Sequence, residues 1–197
     1  MSALGAKSAK WWNEERWNKE LTEDLFAAAF SMSSAIGKET VRKLFDNGEY
    51  DSDRTEAFIQ AMCKRRAEMV NQTTYKELQE ALEADEDDEA LRATPEGVFD
   101  NAEENRADSA GLAFAGALIG WSSIEACRQN GARGQNVFKT WETTSGNPRA
   151  SHAAMNGETV QYDEPFSNGA MWPGDIDNLD VEDVANCHCI LVVEVRD

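Results

Sequence analysis

The sequence predicts an α+β fold, in which a helical N-terminal region is followed by a long buried helix packed on a small, mainly antiparallel β-sheet. Three observations lead there. Up to about residue 84, apolar positions recur at three- and four-residue steps, the period of one helix face. From about Asp108 to Asn130 the chain is apolar nearly all round and mixed with Gly111, Ala115, Gly116 and Gly120, as in a helix covered on every side. From Val137 the apolar period drops to two, and Gly, Pro and Asn turns become frequent.

The first element runs from Lys10 to about Ser34. Trp11, Trp12, Trp17, Leu21, Leu25, Phe26, Ala29 and Phe30 form its apolar face, with Glu14, Glu15, Lys19, Glu23 and Asp24 between them. Three tryptophans at one end exceed what a short helix needs for its own packing. They belong to the core, the reading we favour, or they anchor the arm in a groove on a partner, since Trp is enriched at binding hot spots. Gly37 and Asn47-Gly48 punctuate the next stretch. Asp53 or Thr55 can cap a second helix over Glu56 to about Asn71, whose apolar face is Phe58, Ile59, Met62, Cys63, Ala67, Met69 and Val70. On it, Lys64, Arg65 and Arg66 make the densest basic cluster, either a weak nucleic-acid contact or, as we favour, a solvated face paired with carboxylates.

A third helix fits Thr74 to about Ala84. It leads into Asp85-Glu86-Asp87-Asp88-Glu89, too repulsive to pack on itself and without the spaced ligands of a calcium loop, so a solvated linker is expected. This divides the chain into a helical arm with linker, 1–90, and a C-terminal domain, 91–197. Thr94-Pro95-Glu96 supplies a capping hydroxyl, a proline at the first helical position and an acid in the first turn. That helix continues through Val98, Phe99, Ala102 and Arg106, and the buried one after it ends at Asn130-Gly131, suited to a left-handed cap. Val137, Lys139 and Trp141 then share one face of a strand. Arg149 to Ala154 fits a short helical turn, Asn156-Gly157 a tight hairpin turn before Thr159 to Tyr162, and Ile190 to Val195 a strand buried on both faces.

Composition limits function. The 197 residues carry 19 basic and 37 acidic side chains, a formal charge of -18, so a general affinity for DNA is not expected from the net field, and basic protein partners are. Nothing near Met1 has a signal peptide's apolar stretch. The best membrane candidate, Ala110 to Ile119, is about half the length a crossing helix needs, so no membrane association is expected and the protein should be made and kept in a cytosol. Four cysteines, with Cys63 and Cys127 isolated, do not form a disulfide framework there.

The chemistry concentrates between Lys139 and Cys189. On an extended backbone Cys187 and Cys189 point to the same face; with His152 they offer two thiolates and an imidazole, a zinc set that His188, Asp163 or Asp175 could complete. The alternative is a buried hydrogen-bonded network of Arg149, His152 and Asp175, with the cysteines packed as small apolar groups. A thiol hydrolase pairing either cysteine with His152 is disfavoured, because Asp180, Glu182 and Asp183 lie nearby in sequence and acids raise a thiol's pKa.

Within that span stand Lys139-Thr140-Trp141, Arg149 and His152, Asn156-Gly157, Asp163-Glu164-Pro165-Phe166, Pro173-Gly174-Asp175 and Asn186-Cys187-His188-Cys189. Their order resembles the phage Mu F-like head-morphogenesis domain, found in minor capsid proteins of tailed bacteriophages. Two departures stand out: His188 occupies the place of the usual Arg between the cysteines, and the Arg106-Ala107 segment lacks a following Thr-Glu pair. The resemblance implies a structural virion protein, assembled in the host bacterial cytoplasm and residing in the head interior or at the portal vertex. Its implied partners are the portal or major capsid protein, with a role in DNA packaging or delivery. The alternative is a phage-derived thiol-dependent or DNA-processing enzyme.

Overall fold

Helix α1 spans Glu14–Leu44. Its start is capped by Asn13, whose side chain accepts the Arg16 N–H at 3.1 Å. Glu14 and Glu15 lie in its first turn and Arg42 and Lys43 in its last, each matching the helix dipole. This computed structural model describes residues 11–83, 94–132 and 135–196. The helix runs past Ser34 because Gly37 is a packing position and not a break: a Cβ there would lie 2.3 Å from the Tyr50 ring, which folds back onto α1.

Helix α2, Glu56–Glu83, merges the two helices expected over this stretch. The Thr73 and Thr74 hydroxyls donate to the carbonyls of Met69 and Val70 (3.1 and 3.0 Å), and the Asn71 amide donates to Asn18 of α1 at 2.8 Å. The polar run that reads as a gap is thus satisfied without leaving the helix. Asp51, rather than Asp53 or Thr55, serves the helix entry, accepting the backbone N–H groups of Asp53 and Arg54. The acidic block at 85–89, and with it the boundary at residue 90, falls outside the described residues.

Helix α3, Pro95–Asn101, starts as expected, with the Thr94 hydroxyl accepting the Gly97 N–H at 3.1 Å. A π-turn, Ala102–Arg106, joins it to α4, Ala107–Gln129, without a break. The resulting 35-residue helical path is long and apolar enough by composition to cross a membrane, which corrects the expectation from Ala110–Ile119; 67% of its most apolar window is buried inside the protein.

The sheet has the order β2-β1-β3, with all pairs antiparallel: β1 is Val137–Thr143, β2 Thr159–Gln161 and β3 Cys189–Val195. Val137, Lys139 and Trp141 share the inner face, as the alternation predicts, and all are fully buried. Strand β3 is an edge strand, and only its Cys189 and Leu191 side chains are buried, so the expected two-sided burial is not met. Asn156-Gly157 does not close a two-residue hairpin; it turns the chain out of α5, Ala150–Met155, into β2, with Gly157 at φ 84° donating its N–H to the Trp141 carbonyl. The helical region followed by a long helix on a small antiparallel sheet is the fold class expected.

One core unites these parts. Ala29 of α1, Ile59 and Met62 of α2, Leu118 and Trp121 of α4, and Trp141 and Leu191 of the sheet belong to a single buried cluster. Phe58 stacks on Trp121 with ring centroids 4.4 Å apart, and the Ser122 hydroxyl meets that of Ser33 in the buried α1–α4 seam. Packing therefore runs across residue 90. A satellite cluster of Trp12, Leu78, Ala81 and Val98, flanked by Tyr75, pins the start of α1 to α2 and α3. Trp12 is buried and stacked on Trp17 (5.5 Å), whereas Trp11 and Trp17 keep 50% and 39% of their surface exposed.

Candidate metal centre

Local chain geometry carries both cysteines inward. Helix α6, Val181–Val184, ends in a turn where Asn186 takes φ 52°, a left-handed conformation that Asn tolerates better than most residues. The Cys187 N–H closes that turn onto the Val184 carbonyl. Cys189 then opens β3, whose inner face lies beside Trp141. From the other side α5 brings His152, and Arg149 at the start of α5 donates to the Ala185 carbonyl, tying the two approaches together. Glycine sets the depth of the sheet: a Cβ on Gly116 of α4 would lie 2.9 Å from the Cys189 carbonyl oxygen.

His152, Cys187 and Cys189 offer ligand atoms that all lie within 4.8 Å of one another, and all three side chains are buried. His152 Nδ1 is 3.4 Å from Cys189 Sγ. Tetrahedral zinc with bonds of about 2.0–2.3 Å has ligand–ligand edges of about 3.3–3.8 Å, so the donors already stand near the required spacing. His152 Nε2 has no hydrogen bond and lies 3.7 Å from Asp183, which also accepts the Ser151 hydroxyl at 3.0 Å. A carboxylate behind the outer nitrogen is the usual support of a metal-bound imidazole. The sequence did not single out Asp183 for this role; its one signal was an acid four residues before Cys187.

Electrostatics treat the two thiols differently. The Cys189 thiol, with help from Arg149 and Arg66, holds Cys187 down at about 7 against burial, while Cys189 is pushed up by Cys187 and by burial. No nearby acid figures among the groups that act on either thiol, and Asp180 and Glu182 are exposed. Burial and Arg149 lower His152, outweighing Asp183, so the imidazole is neutral and able to ligate at neutral pH.

The other candidates separate from this group. Asp175 is fully buried but organises its own loop, accepting the Met171 N–H (2.8 Å), the Asp177 N–H (3.2 Å) and the Asn178 amide (2.8 Å). It is no ligand here, and the Arg149–His152–Asp175 network does not form. His188 and Asp163 also stand outside the group; His188 offers its carbonyl to Thr144, and Asp163 is exposed. Pro173 and Gly174 pack that loop onto α4, where Gly174 at φ 78° would put a Cβ 3.2 Å from Ala117. Lys139 is fully buried; its Nζ donates to the Met171 carbonyl at 2.8 Å and lies 5.0 Å from the Phe166 ring centre, and burial lowers it to about 8 despite Asp175, Asp163 and Glu164.

The basic cluster disperses. Lys64 pairs with Glu68 and Arg65 with Asp177, while Arg66 turns inward over the Phe114 ring. The carboxylate pairing expected for a solvated face thus holds for Lys64 and Arg65, while Arg66 leaves that face. Trp12 takes the core role, leaving Trp11 and Trp17 as the exposed aromatic surface. Comparison with protein families, with curated proteins and with solved structures finds no match for this chain.

Proposed function

We propose that this chain is a minor head protein of a tailed bacteriophage, an assembly module whose C-terminal unit is closed by zinc at His152, Cys187 and Cys189. The observation that carries the reading is convergence. Several of the residues on which the family resemblance rests come from separate stretches and are buried together on the α4 side of the sheet: Lys139 and Trp141 on β1, His152 on α5, the Pro173–Asp175 loop, and Cys187 and Cys189. Such closure suits a rigid module. Zinc, when bound, would join α5 to the segment leading into β3 and contribute directly to folding stability. The exposed faces of Trp11 and Trp17 supply the contact with the portal or major capsid protein, in the head interior or at the portal vertex.

The test joins two measurements on protein purified without chelator. Stoichiometric zinc, and a melting temperature lowered by roughly 10 °C or more on its removal, are expected for a structural site. Cosedimentation with portal or procapsid particles should weaken in the double variant Trp11→Ala/Trp17→Ala. Particles that exclude the protein would sink the head-protein reading, whatever the metal result.

A second reading is favoured by one geometric fact: Cys189 Sγ, His152 and Asp183 stand in the order nucleophile, base and orienting acid. In a thiol-dependent enzyme, His152→Ala would abolish hydrolysis of an activated ester with little change in melting temperature. As a structural ligand, the same substitution lowers the melting temperature instead.

A further inference from the structure

Beside the turn that leads into Cys187, two arginines from distant parts of the chain face one pocket. It has a volume of about 260 Å³, just under the usual range of ligand sites, and lies between α2, the π-turn at the head of α4 and the Ala185–Asn186 turn. Met69, Val70, Ala102, Ala107 and Ala110 make much of its wall apolar, and Arg66 and Arg106 bring the charge.

The two guanidiniums differ in their company. Arg106 stands 2.8 Å from the Glu77 carboxylate and donates through Nη2 to the Thr74 hydroxyl, so its charge is matched. The ion pair is not aligned as a hydrogen bond, leaving the Nη1 and Nε hydrogens unsatisfied. Arg66 is buried, retaining 7% of its surface, and among the described residues it makes neither a hydrogen bond nor an ion pair. Its ring contact with Phe114 spans 5.4 Å, and Cys187, the thiol that acts on it through space, belongs to the metal group. A buried cation costs more than a ring face returns, and proteins meet that cost with a counter-ion. The turn that places Arg106 is itself a π-turn, a helix irregularity concentrated at functional sites.

We infer that this pocket binds a small organic monocarboxylate, its carboxylate on the Arg66 guanidinium and its apolar body against Met69, Val70 and the alanines. Charge counting selects the class. With Arg106 paired to Glu77, and with the thiolates matched by zinc when it is bound, the one point at which this inference rests on the proposed function, Arg66 supplies the single positive charge left for a ligand, matching a carboxylate; a phosphate dianion would be left half-neutralised. The planar guanidinium can take both carboxylate oxygens. A nucleic-acid backbone would set polar sugars against apolar walls and approach a protein of formal charge -18.

The test titrates benzoate and octanoate into the full chain by calorimetry, alongside melting-temperature measurements, with inorganic phosphate and a short single-stranded oligonucleotide as comparators. Saturable binding of at least one carboxylate is expected, with a rise in melting temperature. Binding should weaken at least about tenfold in Arg66→Met and less in Arg66→Lys, which keeps the charge without the fork. Ala110→Leu leaves the guanidinium intact but fills the apolar space, so it should also block binding; it decides the matter if Arg66→Met does not fold. Absence of saturable carboxylate binding, binding unchanged in folded Arg66→Met or in Ala110→Leu, or tighter binding of phosphate or oligonucleotide would each overturn the assignment.

Discussion

Lys139 illustrates how a single side chain reports its surroundings. Burial lowers its ammonium from the ordinary 10.5 to about 8, so between these values the unfolded chain holds a proton that the native one has released. The contribution of Lys139 to stability therefore rises with pH through that window, by on the order of 2 kcal/mol. Lys139→Met removes the titration, and urea denaturation at pH 7.5 and pH 10 should show wild type gaining on the variant; a constant difference would mean that the ammonium is solvated. Asp183 acts one step further from the chemistry. Asp183→Asn should weaken zinc affinity by about 10- to 100-fold while leaving the three ligands in place, measured by chelator competition. The position of Cys187 and Cys189 on one face was legible from their spacing. That Asp183 and not Asp175 stands behind His152 was not, because both are acids in turn-rich sequence and only the docking of α6 beside α5 separates them.

Elements show the same division through their glycines. Gly37 and Gly111 both sit inside helices, where alanine is intrinsically favoured by about 1 kcal/mol. At Gly111 a Cβ meets nothing within 4 Å, so Gly111→Ala should raise stability by about 0.5–1 kcal/mol. At Gly37 it meets the Tyr50 ring, and overpacking of about 1–3 kcal/mol exceeds the propensity gain, so Gly37→Ala should lower the melting temperature. Thermal melts of the two variants should move in opposite directions; a rise in both would show that Tyr50 yields freely. Helix starts governed by adjacent residues, such as Thr94-Pro95-Glu96, were readable from sequence. The continuity of α2 through Asn71 and Thr74 was not, since part of what satisfies that polar run is Asn18 on another helix.

For the whole molecule, the decisive fact is a core that crosses the middle of the chain. Phe58, Ile59 and Met62 cover α4, so residues 91–197 alone would bare Phe114 and Trp121. That fragment should bind a hydrophobic dye and lack a cooperative melt, whereas the full chain should unfold with coincident transitions by far-ultraviolet circular dichroism and tryptophan fluorescence. A fragment that melts sharply would establish two independent units.

The sequence by itself determined what depends on near neighbours: helix and strand periods, the Thr94 cap, the turn before the sheet, the shared face of Val137, Lys139 and Trp141, and the pairing of Cys187 with Cys189. Tertiary structure alone decided the separate fates of Arg65 and Arg66, the burial of Trp12 beside exposed Trp11, the partner of His152, and the meeting of Arg66 with Arg106 across one pocket. The physical reason is range. Backbone propensity and side-chain alternation act over a few residues and are written locally, whereas burial and counter-ion choice depend on surfaces that come together only when distant segments pack.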